Sequence, residues 1–411
     1  MKPHVVHIPR RFATASWGGT EAVVANLAAG QRRNGLEASI MTSMALDAVP
    51  VEEVQGVPVQ RFAHFYPEWP LVAAQRATYD RKGGNLVCPG ILRALGRQPK
   101  LSVVHLHTGN RLGSSCLRAA RARGVPCLIT LHGGHFTIPP AELSALTGDG
   151  RRPTLAWGKV LSWWWDTRRL LENVDAVVCV GEEEAEAARA RLPGQRVCFI
   201  PGGVDVDRFA AGDAARGRAL LGHDGARPLI ACLARLDVQK DQETLVAAWA
   251  GLDEGADLAL IGPETTPGYT ARCQAAGAGA KGRLLLTGNL LAEAVPDVLA
   301  AADIVVLPSR HEPFGLACLE AWAAGRPVIA TAIGGPARLL ADGRGGVLIP
   351  VGDVAALRQR LAEALADPAQ RAIQGAAGRA KAREGYAWER VVDRYRLLYE
   401  ELIAQRGATR R

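Results

Sequence analysis

No window of the chain approaches the roughly 20 uncharged apolar residues that a membrane-spanning helix needs. The first apolar run, HVVHI at 4–8, follows a lone Lys2 and is too short for the core of a signal peptide. Paired cysteines are also missing. The eight cysteines (Cys88, Cys116, Cys127, Cys179, Cys198, Cys232, Cys273, Cys318) are scattered singly, and no CxxC occurs. That pattern disfavours disulfides and zinc sites and suits buried thiols in a reducing compartment. A cytoplasmic protein is expected, with attachment to the inner face of a membrane left open. Helix-turn-helix, zinc-finger and RNP-like patterns are absent as well, so the net charge of +8 does not point to nucleic acid. Anionic small molecules and an anionic membrane surface remain as partners.

What the chain does have is alternation. Its 411 residues, 48% hydrophobic and 22% charged, are too many for one ordinary core. Strand-like runs fall at 4–8, 37–43, 102–107, 126–132, 175–181 and 196–201. A second series falls at 228–236, 256–263, 283–289, 303–309, 326–332 and 345–350, and helical stretches lie between them. Continuous apolar strands alternating with helices predict parallel sheets covered on both faces. The fold class is therefore α/β, with two doubly wound, Rossmann-like domains. The expected boundaries are 1–200, a hinge at PGGVDVDRF (201–209), 210–385, and a carboxy-terminal helical stretch at 386–411.

Four features stand at strand exits, where open parallel sheets bind ligands. WGGTE (17–21) opens a helix, and Gly18 and Gly19 would let backbone approach a phosphate. It does not complete GxGxxG, so a nicotinamide-dependent oxidoreductase fits poorly. LHGGH (131–135) brings His132 and His135 near the end of one strand, with His105 and His107 ending its neighbour. The four could be read as a metal site. No acidic residue is interleaved at ligand spacing, and histidines that simply end strands are the plainer reading. ARLDVQKD supplies Arg235 and Lys240, two cations able to neutralise a diphosphate. HEPFGLACLE carries Glu312 and Glu320, eight positions apart, around a Pro-Phe-Gly turn. A carboxylate can accept both hydroxyls of a ribose diol, which suits Glu320. Another can hold sugar hydroxyls and offset positive charge at an anomeric carbon, which suits Glu312. Asp205-Val206-Asp207 has a DxD pattern but sits on the hinge, where a helix start explains it. Glu182–Glu184 likewise opens a helix, where acids suit the dipole.

These residues together carry a resemblance. Nearly the whole chain resembles retaining glycosyltransferases of the GT-B fold, family 4. Glu312 to Glu320 matches that family's E-x7-E motif with the internal Pro-Phe-Gly-Leu. Arg235 and Lys240 match its paired cations, Gly18-Gly19 its amino-terminal glycine loop, and His132 its histidine after an amino-domain strand. PGGVDVDRF resembles the family's hinge, with Gly202 where asparagine is usual. The resemblance implies two Rossmann-like domains facing a central cleft, with an acceptor-binding amino domain and a donor-binding carboxy domain. It implies transfer of a sugar, with retention and without a metal or other cofactor, from a UDP- or GDP-sugar to an acceptor hydroxyl. It assigns catalysis to Glu312, His132, Arg235 and Lys240. Donor binding falls to Gly18, Gly19, Arg235, Lys240, Phe314, Gly315, Leu316 and Glu320. Acceptors would be sugars, glycans, lipid-linked glycans or small molecules. A sugar phosphorylase, a nucleotide-sugar epimerase and a non-catalytic nucleotide-sugar sensor are the alternatives.

TLAWGKVLSWWWDTRRLLENVD (154–175) stands apart. On a helix, Trp157, Val160, Leu161, Trp164 and Trp165 share a broad face. Packing under the amino-domain sheet is one reading. Tryptophans left exposed, with Lys159, Arg168 and Arg169 toward anionic lipid, or stacked on an acceptor sugar, is the other.

Overall fold

A computed structural model describes residues 2–14, 18–137, 157–253 and 255–408. The chain forms two compact units, Met1–Pro201 with Val391–Arg411, and Gly202–Arg390. In the first, the strands are β1 (His4–Ile8), β2 (Glu37–Ser43), β3 (Val51–Val54), β4 (Val57–Phe62), β5 (Leu101–Leu106), β6 (Cys127–Leu131), β7 (Ala176–Cys179) and β8 (Val197–Phe199). They lie in the order β3-β4-β2-β1-β5-β6-β7-β8. All pairings are parallel except β3 with β4. The second unit has β9 (Leu229–Leu233), β10 (Asp257–Ile261), β11 (Leu284–Leu286), β12 (Ile304–Leu307), β13 (Val328–Thr331) and β14 (Gly346–Ile349). Its order is β11-β10-β9-β12-β13-β14, parallel throughout.

The helices that bear on function are α1 (Gly19–Arg33), α2 (Gly158–Trp164), α3 (Glu182–Arg191), α4 (Val206–Ala210), α5 (Leu316–Ala323), α6 (Gly334–Leu339) and α7 (Trp388–Ala408). Central strands such as β1, β6, β10 and β12 are buried along their whole length, as strands covered by helices on both faces must be. Seven of the eight cysteines are buried and all are unpaired. Among the described residues no helix is long and apolar enough to cross a membrane.

The order of strands reverses beside β1 in the first unit and beside β9 in the second. From β1 the chain winds outward through β2 and returns to β5 on the other side; from β9 it winds through β10 and β11 and returns to β12. These reversals are where an open α/β sheet leaves a crevice at its carboxyl edge.

The α2 segment settles the two readings of its tryptophans in favour of exposure. Trp157, Val160, Trp163 and Trp164 are 46%, 66%, 80% and 60% exposed. The helix docks through its smallest residues instead. Gly158 donates its N–H to the Pro67 carbonyl at 3.1 Å, and a Cβ there would lie 2.5 Å from the Pro67 ring. Arg111 Nε reaches the Gly158 carbonyl and Ser162 Oγ, both at 3.0 Å. Residues 154–156 lie outside the described residues.

Candidate functional site

In the carboxy-terminal unit the two loops at the reversal are those after β9 and β12. The first ends in a short turn, in which Asp237 accepts from the Gln239 N–H at 2.9 Å and Lys240 follows. The second carries Arg310 to Leu316 into α5. A backbone bond ties them, Arg310 N–H to the Gln239 carbonyl at 2.8 Å, and Arg310 also pairs with buried Asp241 at 3.0 Å. This clamp brings the Lys240 ammonium to 2.6 Å from Glu312 Oε2. The other oxygen, Oε1, accepts from the Gly315 N–H at 3.1 Å. The Glu312 carboxylate is thus held between a cation and the positive end of α5. Arg235, the other expected cation, turns to Asp237 at 3.5 Å and Thr265 at 3.3 Å.

Gly315 has φ +90°, the left-handed region, and caps α5. Phe314 is buried and Leu316 half-buried. Both pack on Gly202, where a Cβ would come within 2.9 Å of each side chain. A side chain at this hinge position would therefore have to displace Phe314 or Leu316. Gly334-Gly335-Pro336 opens α6 after β13 and was not singled out from sequence. The Gly335 N–H donates to the Glu312 carbonyl at 3.0 Å, and a Cβ on Gly335 would lie 2.0 Å from the Phe314 carbonyl oxygen. A paired glycine at a strand exit is the signal that could have found it.

Glu320 lies further along α5. No hydrogen-bond donor among the described residues reaches its carboxyl group. Burial pushes that group up to about 7, opposed by the nearby Arg208 guanidinium. Because its folded value lies above the ordinary one, ionising it costs stability as pH rises through about 7; the stability is complete below the ordinary carboxylate range. Diol hydroxyls are suitable donors to the ionised form. Were Glu320 to hold a ribose diol, binding of the bare nucleoside, which carries no titrating phosphate, should weaken as pH falls through about 7, and Glu320→Gln should remove that dependence. Calorimetric titration between pH 5.5 and 8.5 checks it, and an unchanged pH profile in the variant would sink the assignment.

In the amino-terminal unit, Gly18 caps α1 and Gly19 begins it. Trp17 lies outside the described residues. A Cβ on Gly18 would lie 2.7 Å from Glu21 Oε2, and buried Glu21 pairs with Arg11 at 3.0 Å. The histidine group differs from the one expected. His135 is exposed and stands edge-on to Phe136. Its place is taken by His7 on β1, fully buried and passed over in HVVHI. His7, His105 and His107 place a nitrogen each within 4.8 Å of the others. All six of their ring nitrogens are nonetheless engaged. His7 bonds His107 at 3.0 Å and Gln31 at 2.8 Å; His107 bonds His132 at 2.9 Å; His105 bonds Tyr399 at 2.8 Å and Thr130 at 2.7 Å. A metal would have to displace these bonds. Burial lowers the basicity of all four: His7 and His132 to about 4, His105 and His107 well below the ordinary value.

Glu184 does more than face a helix dipole. Its Oε1 accepts from the His135 N–H at 2.5 Å and the Phe136 N–H at 3.3 Å, fastening the loop after His132. Asp205 caps α4 by accepting from the Arg208 N–H at 3.0 Å, and Asp207 pairs with Arg383 at 2.6 Å.

Comparison with known proteins identifies the family. The family described as "Glycosyl transferases group 1" matches residues 215–381, and the "Glycosyl transferase 4-like domain" matches residues 18–203. A D-inositol 3-phosphate glycosyltransferase of Xylanimonas cellulosilytica is 30% identical over 96% of this chain and 94% of its own. A GDP-mannose-dependent α-(1-6)-phosphatidylinositol monomannoside mannosyltransferase of Mycolicibacterium smegmatis is 32% identical over 54% of this chain and 61% of its own. Among solved structures, the sucrose-phosphate synthase of Thermosynechococcus elongatus superposes with a TM-score of 0.74 at 22% identity, covering 98% of this chain and all of that one. Family profiles over both units, a full-length relative and this fold agree: the chain belongs to the family 4 glycosyltransferases of the GT-B fold.

Proposed function

We propose that the chain transfers a glycosyl group from a UDP- or GDP-sugar to an acceptor hydroxyl with retention of anomeric configuration and without a metal. The observation that carries this reading is the Glu312 carboxylate, held by Lys240 and the Gly315 N–H at the start of α5. Glu312 then faces the transferred sugar and offsets charge at its anomeric carbon. Lys240 and Arg235 take the leaving diphosphate, supplying the electrostatic work that a divalent ion does elsewhere. Glu320 takes the ribose. Phe314, Gly315 and Leu316 shape the sugar pocket, and Gly18 and Gly19 form a phosphate-approaching turn in the amino-terminal unit, which receives the acceptor. The donor-site chemistry is compatible with the nucleotide-sugar donors named for relatives, such as GDP-mannose. Phosphorylated or lipid-linked polyols are the acceptors to try first, since relatives are named for inositol phosphate and phosphatidylinositol glycosides.

The test uses donor alone, donor with inorganic phosphate, and donor with an acceptor library, each with and without EDTA. Product that requires an acceptor and survives EDTA supports the reading. Turnover with phosphate alone indicates a phosphorylase, and donor isomerisation alone an epimerase. Activity abolished by EDTA and restored by manganese would revive the DxD pair, Asp205 and Asp207, as a metal site.

Peripheral contact with the inner membrane face is part of this proposal, because α2 and the residue that precedes it present Trp157, Val160, Trp163 and Trp164 to solvent beside Lys159, Arg168 and Arg169. Vesicle flotation should show binding to anionic but not zwitterionic lipid. Trp163→Ala, at the most exposed of the four, should weaken binding without lowering the melting temperature. Equal recovery of wild type and variant with neither lipid would remove the membrane from the account.

A further inference from the structure

We propose that Gln31 is a positioning residue which, through His7 and His107, fixes His132 as the tautomer protonated on Nε2, so that its Nδ1 meets a substrate hydroxyl as a hydrogen-bond acceptor. The inference rests on His132 being a substrate contact of the proposed transfer.

It starts from one buried amide. Gln31 is fully buried on α1. Its Nε2 donates to the Tyr399 hydroxyl at 3.0 Å, so its Oε1 is the atom 2.8 Å from His7 Nε2. A carbonyl oxygen only accepts, so His7 Nε2 carries hydrogen. A neutral imidazole has one such hydrogen, which leaves His7 Nδ1 bare. That nitrogen lies 3.0 Å from His107 Nε2, which must therefore donate. His107 Nδ1 is then bare and lies 2.9 Å from His132 Nε2, which must donate in turn. The last ring is left with a bare Nδ1, for which no partner occurs among the described residues. One helix, one strand and two strand exits supply this line: α1, β1, and the residues that follow β5 and β6.

The same amide orders a second branch. Having accepted from Gln31, the Tyr399 hydroxyl donates to His105 Nδ1 at 2.8 Å, and His105 Nε2 donates to Thr130 Oγ1 at 2.7 Å. Turning the Gln31 amide over would reverse every proton in both branches. His132 would then offer an N–H, suited to a phosphate oxygen or a carbonyl. As it stands, His132 offers a lone pair, suited to a sugar or acceptor hydroxyl. The amide thus decides which ligand chemistry His132 can serve from a distance of two rings, a role that side-chain packing alone would not require.

Full-length protein labelled with [15N]histidine, read by two-bond 1H–15N correlation, should show His7, His105, His107 and His132 all protonated on Nε2. Gln31→Met keeps the length of the side chain and removes the acceptor. It should leave His132 as a mixture of tautomers and lower kcat/KM about tenfold, the lower end of what the outer partners of metal-ligating histidines contribute. Tyr399→Phe unpins the amide from the other side and should mix the same tautomers, which keeps the test available if the first variant folds poorly. A wild-type His132 protonated on Nδ1 would overturn the proposal, as would a folded Gln31→Met with wild-type tautomers and rates. Expected tautomers together with a fully active His132→Ala would overturn the substrate contact alone, while transfer itself is judged separately by product formation.

Discussion

Replacing Lys240 by alanine should lower kcat/KM by roughly 10²–10³-fold, the usual loss when one stabilising donor is removed from a site of developing charge. Two losses combine. On the proposed reading the leaving diphosphate loses a cation; Glu312 loses the partner 2.6 Å from its Oε2, keeping only the Gly315 N–H. Affinity for the nucleoside diphosphate should fall, while affinity for the bare nucleoside should not change. Arg235→Ala should cost less, because Arg235 is half exposed and already shared with Asp237 and Thr265. Initial rates with titrations of nucleoside and diphosphate measure this split. A Lys240→Ala enzyme with wild-type diphosphate affinity would show that the ion pair is structural.

Glu312→Ala is the complementary experiment, with a different signature. Here kcat should fall by roughly 10²–10³-fold with only a modest change in donor affinity, since in the proposed transfer the carboxylate acts on charge that develops during the reaction. Glu312→Gln should recover part of the lost rate. Its amide oxygen can still accept from Gly315 N–H, although it no longer neutralises Lys240. Loss of donor binding with kcat unchanged would move Glu312 from the sugar to the phosphates.

Much of this fold is readable in the chain because its central strands are buried on both faces and so appear as continuous apolar runs. Every one of the twelve expected runs overlaps a strand. The hairpin of β3 and β4 was missed for the corresponding reason. It lies at a sheet edge, β4 alternates buried and accessible residues, and Glu52, Glu53 and Pro58 break any apolar run. That Arg235, Lys240 and Glu312 stand at the β9 and β12 exits was legible, because each follows a continuous apolar run. That Lys240 and Glu312 touch each other was not, since the contact depends on Arg310 bonding the Gln239 carbonyl. His7 was hidden for a similar reason. Within HVVHI it reads as one more strand residue, and its partners Gln31 and His107 lie 24 and 100 positions away. The tryptophans of α2 share a helical face in either reading. Which side docks was decided by Gly158, whose lack of a side chain brings the backbone against Pro67.

The central claim is transfer from a nucleotide sugar with retained configuration, supported by side chains in place of a metal. It is tested most directly by the anomeric configuration of the first product, read by proton NMR during a reaction run in EDTA. The donor would be the α-linked UDP-, GDP- or ADP-sugar that most raises the melting temperature. An α-linked product formed at undiminished rate is the predicted result. A β-linked product, or no product until manganese is restored, would contradict it.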